Sequence, residues 1–189
     1  MPILLHLVTV ILTSSTIVRE KELGTLEQLV VTPVRPLGLM TGKIMPYFGM
    51  AVIEVAAALA FMSIAFGVPI HGSGLLLVLF SMCYIFVNLA LGIWVSAKAR
   101  TQRDAAQRAD AMLLPTIYFS GYIFPRASMP KVFYILSYFV PASYMTDITR
   151  GIILRGAGFR ELWLEGAVLL FMGILVLVVA ARSFKKMIE

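Results

Sequence analysis

The sequence predicts an all-α fold: an integral membrane bundle of about five transmembrane helices, with a re-entrant or interfacial helical hairpin on the external side. Three observations carry this. Of the 189 residues, 60% are Ala, Val, Ile, Leu, Met, Phe, Trp, Tyr or Cys, only 14% are charged, and the mean hydropathy is +0.91; soluble domains are about 45–50% apolar. The apolar residues fall in blocks of roughly 16 to 23 positions, close to the ~20 needed to cross ~30 Å of hydrocarbon. Between the blocks lie short clusters of Lys and Arg, which cytoplasmic loops retain during insertion.

Taken in order, the spans cover about 2–17, 44–66, 75–97, 109–124 and 164–181. The first is short, but a signal peptide would bring a basic leader and a small-residue cleavage site, and neither flanks it. The segment after it holds Arg19, Lys21, Arg35 and Lys43. The next connection, 67–74, holds no Lys or Arg, and the one after it holds Lys98, Arg100, Arg103 and Arg108. The carboxy-terminal tail adds Arg182, Lys185 and Lys186. This alternation puts the amino terminus outside and the carboxy terminus inside. Pro115 removes a backbone donor inside the fourth span and is expected to kink it near Ala111.

The segment 125–163 is external by this count although it carries Arg126, Lys131, Arg150, Arg155 and Arg160, since long loops obey the charge rule weakly. Its two apolar pieces, about 132–140 and 144–154, are split by Pro141, and at ~1.5 Å per residue each reaches about half-way through a bilayer. Irregular backbone at that depth must be satisfied by protein or water, so the pair should sit over a bundle or a pathway.

Several function classes are excluded or left with little. The net charge of +6 sits in clusters flanking apolar blocks, as membrane anchors do, so no nucleic-acid partner is expected. Cys83 is the single cysteine and lies in an apolar block, which reads as a small buried hydrophobe. No Gly-x-x-x-x-Gly-Lys-Ser/Thr run occurs, so no Walker A phosphate loop lies in this chain. No catalytic, cofactor-binding or metal residues are assigned. An intramembrane enzyme using Glu54 and His6 as acid and base would lack a nucleophile, a metal set and a paired carboxylate.

The segment 18–36 is the most informative. Arg19-Glu20-Lys21-Glu22-Leu23-Gly24-Thr25-Leu26-Glu27-Gln28-Leu29-Val30-Val31-Thr32-Pro33 holds three of the chain's ten acids. Thr25 and Gln28 have capping-box spacing, Gly24 releases the preceding turn, and Pro33 stops continuation, which defines a short helix from Leu26 to about Val31. A helix that short is unstable alone and must dock. Two readings fit: it lies against its own bundle, or it presents Glu20, Glu22 and Glu27 with Leu26, Leu29 and Val30 to a soluble partner.

This run, followed by Thr32-Pro33-Val34-Arg35-Pro36 and Gly42-Lys43, resembles the cytoplasmic signature of ABC-2 type transporter permeases. The stretch from Pro141 to Gly156, Pro-Ala-Ser-Tyr-Met-Thr-Asp-Ile-Thr-Arg-Gly-Ile-Ile-Leu-Arg-Gly, resembles the external segment before their last span. Val140 stands where many members have Asn. The resemblance implies a permease subunit of an exporter in a bacterial inner (plasma) membrane, a homodimer or heterodimer with a related permease, surrounded by lipid. A separate ABC ATPase subunit would carry ATP and Mg, with none bound here. Glu20, Glu22, Gly24, Thr25, Leu26, Glu27, Gln28 and Leu29 would then form the ATPase-coupling region. The resemblance also places Met1 inside the family's second span, so the amino-terminal span and external domain of full-length relatives have no counterpart in this sequence. A structural or truncated subunit without independent transport is the alternative.

Within the membrane, Glu54 sits near the middle of the second span, where a charge costs about 2.5 to 3.5 kcal/mol. It is either a sensing group facing a pathway or a carboxyl joining helices, with Asn88, Ser81 or Tyr84 as partners. His6 and Asn88 read as helix–helix polar contacts rather than ligands. Asp147 and Arg150, three apart after Pro141, can pair. Tyr118, Tyr122, Tyr134, Tyr138 and Tyr144, with Phe119, Phe124, Phe133 and Phe139, crowd the external end, either as an interfacial belt or as the lining for an amphipathic, drug-like or lipidic substrate.

Overall fold

The structure, a computed structural model, describes residues 1–23, 36–65, 67, 71–124 and 126–188. Regular structure among them is entirely helical. The helices are α1 (Pro2–Glu22), α2 (Pro36–Ala65), α3 (Gly74–Lys98), α4 (Gln102–Phe119), α5 (Lys131–Ser137), α6 (Pro141–Arg155) and α7 (Phe159–Ile188), with a 3-10 turn at Arg126–Ser128. Four stretches, Pro2–Glu22, Met45–Ala65, Gly74–Lys98 and Phe159–Ser183, are long and apolar enough to cross a membrane.

The helices outrun the apolar blocks because helix propensity does not stop where hydrocarbon does. Arg19, Glu20, Lys21 and Glu22 are good helix formers, and α1 continues through them instead of ending near residue 17. The fourth expected span, 109–124, falls on α4, which begins seven residues earlier: Thr101 caps it, its hydroxyl accepting from the Asp104 amide at 3.1 Å. It also ends earlier, at Phe119, where Ser120 and the positive-φ Gly121 turn the chain. This 18-residue helix is ~27 Å long and charged in its first turns, so it is amphipathic where α3 is apolar throughout.

α3 is the central element, lying against α1, α2, α6 and α7. Leu77, Phe80, Tyr84, Ile85 and Leu89 of α3 share one core with Leu5 of α1, Ala51 and Val55 of α2, Met145, Ile148 and Ile152 of α6, and Leu169 of α7. The α3–α7 contact is close because α7 is bare where α3 is bulky. A Cβ at Gly166 would collide with the Phe80 ring, and one at Gly173 would lie 2.6 Å from Phe86. α2 and α7 turn Ile53, Phe61, Leu170, Phe171 and Leu175 outward, as a lipid-facing surface requires and water would penalise.

One end of the bundle is basic, gathering the ends of α1, α3 and α7 with the start of α4. Near it Ile17, Ile93 and Ala180 cluster with Trp94 and Leu177. The other end is aromatic, and the segment expected as a hairpin lies there as two helices that pack on different neighbours, α5 on α4 and α6 on α3 and α7. α6 starts at Pro141, packs on α3 and α7, and at 15 residues is ~22 Å long. Gly156, at φ 65°, ends α6, with the Ala157 amide donating to the Gly151 carbonyl at 3.0 Å. His71, between α2 and α3, supplies a further cap: its ring Nδ1–H donates to the Ile153 carbonyl at 3.1 Å and its amide to the same oxygen at 3.4 Å.

Candidate functional site

Functional chemistry is spread over three levels of the bundle. At the basic end, Glu20 and Glu22 lie in the last turn of α1. The remaining coupling residues, Gly24, Thr25, Leu26, Glu27, Gln28 and Leu29, lie outside the described residues, as does the short helix expected from Leu26 to Val31. Glu22 is held within the chain, its carboxylate accepting from the Gln102 amide at 3.0 Å and from the Gln102 side-chain amide. Beside it, the Lys21 ammonium donates to the Ala99 carbonyl at 3.2 Å. Under this joint Val18, Ala99 and Ala105 form a fully enclosed apolar cluster. Arg108 pairs with Asp104 at 2.6 Å, and together with the Arg100 amide it holds the Asp104 carboxyl below the usual carboxylate range.

At mid-level, His6 on α1 donates through Nδ1 to Asn88 Oδ1 on α3 at 2.8 Å, so these residues do join helices, and they join each other. The Tyr84 hydroxyl donates to the Pro2 carbonyl at 3.1 Å. Glu54, on α2, is therefore not bonded to any of its three expected partners: Asn88 Oδ1 serves His6, Tyr84 serves Pro2, and both Ser81 Oγ and Glu54 Oε2 are buried without a hydrogen bond. The side chains of Thr9 and Thr13 add further buried oxygens without partners along α1. Among the described residues no three His, Cys, Asp or Glu side chains gather as a metal site would require.

At the aromatic end, Asp147 pairs with Arg126 at 2.7 Å, 21 residues away, and not with Arg150. The i,i+3 spacing allowed the helical pair, but the 3-10 turn brings Arg126 across the face of α6, where its guanidinium also lies near the rings of Tyr138 and Tyr144. Arg150 instead donates to the Tyr122 carbonyl at 3.3 Å. Burial pushes the Asp147 carboxyl above its ordinary value, against the pull of the Arg126 and Arg150 charges.

Two cavities flank this latch. One, of about 530 Å³, lies between the end of α4 and α5 and is lined by Leu114, Pro115, Tyr118, Phe124, Met129 and Phe133. The second, of about 330 Å³, is amphipathic, with Thr146, Thr149 and Arg150 facing Met62 and Ile153. Phe119 closes the first against α6: its ring stacks on Phe133 at 5.7 Å, and its carbonyl accepts from Ser143 Oγ at 2.9 Å. The sequence reading passed over Gln102, Arg126 as a partner, and His71. Thr101-x-x-Asp104 is a helix-start signature that would have placed Gln102 in a first turn, whereas no local signal marks the other two.

Helices running between a basic and an aromatic end, four of them apolar enough to span a bilayer, make this a polytopic helical membrane protein. The model of the ABC-2 type transporter family matches residues 1–154, and the chain belongs to that family. It is 34% identical over 155 residues to the probable multidrug ABC transporter permease YbhS of Escherichia coli, covering 82% of this chain and 41% of that protein. Against the inner membrane transport permease YhhJ of the same organism it is 30% identical over 184 residues, 96% of this chain and 49% of that one. ABC transporter G family member 20 of Dictyostelium discoideum is 28% identical over 177 residues, 93% of this chain and 24% of that protein. The chain spans half or less of the length of these relatives.

Proposed function

We propose that this chain is the membrane-spanning part of a pump in a bacterial inner membrane that exports an amphipathic, drug-like or lipidic substrate. ATP and Mg are bound by a separate ABC ATPase subunit, and two permease chains, identical or related, face one another. The basic end is cytoplasmic. The observation that carries this reading is the family match over residues 1–154, which takes in both the Arg19–Val31 run and the start of the segment beyond Pro141. The names of the bacterial relatives, a probable multidrug permease and an inner membrane transport permease, support the substrate class and the membrane. The large aromatic cavity falls within the roughly 300–1,000 Å³ of small-molecule sites.

In this reading Arg19–Val31 is the coupling region, and its part beyond α1, 24–31, receives the ATPase, with Glu27 contributing charge and Leu26, Leu29 and Val30 apolar contact. ATPase closure shifts the bundle between inward-open and outward-open forms only by interacting unequally with the two. The test is recovery of the chain from detergent extract, followed by mass spectrometry and an ATPase assay. An ATPase subunit recovered with the parent and lost with Glu27→Lys supports the assignment. An ATPase absent from both samples refutes the pump and favours a structural subunit.

A further inference from the structure

We propose that the joint between the last turn of α1 and the first turn of α4 transmits ATPase movement to the aromatic end of the bundle, and that Glu22 is a positioning residue in this joint and not a docking contact for the ATPase. The proposal rests on the pump reading above. Its geometry is independent of that reading.

Glu22 lies two residues before the segment 24–31, so the chain couples a displacement of that segment directly to Glu22. Its carboxylate takes both the main-chain and side-chain donors of Gln102, the first residue of α4. An anion there also meets the positive end of the α4 dipole. Lys21 fastens the same turn to the Ala99 carbonyl at the end of α3. Val18, Ala99 and Ala105, all fully buried, fill the space beneath and leave little room for the two helix ends to slide.

α4 carries the displacement onward. Its first turn is braced by the Thr101 cap and the Asp104–Arg108 pair. Its far end, ~27 Å away, holds Phe119, which stacks on Phe133 and accepts from Ser143 at the start of α6. One helix thus has its first residue bonded to α1 at the basic end and its last residue bonded to α6 and stacked on Phe133 of α5, which walls the larger cavity. A shift of α4 along its axis would change that cavity without any rearrangement of α3.

The test uses the full chain with the ATPase that co-purifies with it, in lipid vesicles, carrying Cys83→Ala and the reporter Ser128→Cys on the cavity wall. The readout is the change in labelling by a water-soluble maleimide when ATP is added. Gln102→Glu sets two carboxylates face to face at an exposed position and should reduce that change about five-fold or more while the ATPase is still recovered in full. Adding Glu22→Gln restores a donor–acceptor pair in reverse and should restore the response. An ATP response unaltered by Gln102→Glu overturns the proposal. So does loss of the ATPase with Glu22→Gln, which would make Glu22 a docking contact, or a recovered ATPase that leaves Ser128→Cys labelling unchanged in the parent. Recovery of no ATPase by the parent would instead overturn the pump reading.

Discussion

The His6–Asn88 hydrogen bond is the sharpest test of how the bundle is held. It joins α1 to α3 at 2.8 Å, with the residues 4% and 0% exposed, and neither His6 Nε2 nor Asn88 Nδ2 has another partner. Asn88→Val therefore strips the whole imidazole of hydrogen bonds at a site that water cannot readily re-solvate. Interhelical hydrogen bonds in membranes average about 0.6 kcal/mol with a maximum near 1.7, but leaving a buried partner unsatisfied costs about 1–3 kcal/mol. The second term decides, and a loss of about 2 kcal/mol is expected. His6→Leu should cost a similar amount through the bared Asn88 amide.

Replacing both partners by apolar groups removes the orphaned atoms as well as the bond, so the double variant should lose much less than the sum of the singles. Reversible unfolding of the four proteins in mixed micelles gives the cycle directly. Agreement of the double with the sum to within about 0.5 kcal/mol would mean that the two residues act independently. The hydrogen bond would then not hold α1 to α3.

Gly166→Leu forces a side chain into the Phe80 ring and should cost about 1–3 kcal/mol or more; an unfolding midpoint equal to the parent's would place the α3–α7 contact elsewhere. Asp147 has its pKa raised chiefly by burial, so the folded state holds its proton more tightly than the unfolded one, and this group's contribution to stability falls as pH rises through the raised pKa. Asp147→Asn, which imitates the protonated form, should gain on the parent towards neutral pH, and the difference should shrink as pH falls; a difference that widens on acidification contradicts this. Glu54→Leu removes a carboxyl with a partnerless buried oxygen and should raise stability by about 1–3 kcal/mol, the cost of leaving such a group unsatisfied. A drop in the micelle unfolding midpoint would refute that.

What the sequence made legible follows from the range of the physics involved. Four of the five expected spans fall on α1, α2, α3 and α7, and α3 lies within a residue of its expected bounds, because apolarity at spanning length is a local property; the other, 109–124, falls on the amphipathic α4, which is not among the helices apolar enough to cross a membrane. Helix ends were less legible: α1 runs on through Glu22, since charge ends a hydrophobic run but not a helix. Pairings were the least legible. Spacing put Asp147 with Arg150, but Arg126 reaches it across 21 residues, and Glu54 meets none of the partners that depth alone allowed. His6 and Asn88 were each recognisable as polar contacts, but their union across 82 positions depends on how α1 registers against α3.

That register bears on transmission as well as stability. α1 is bonded to α3 near its start through His6 and near its end through Lys21, and to α4 through Glu22. If α1 could slide freely past α3, a displacement at Glu22 would be absorbed by movement of α1 as a whole. With His6 tied to Asn88, the displaced end must load α4 instead. Asn88→Val should therefore lower stability and also blunt the ATP-dependent labelling of Ser128→Cys, although the Glu22–Gln102 joint is intact. Gln102→Glu, on an exposed turn, should blunt the labelling with little change in stability. If Asn88→Val destabilises the bundle but leaves the ATP response at full strength, α1 does not act as a braced lever, and movement reaches α4 by a route that does not depend on its attachment to α3.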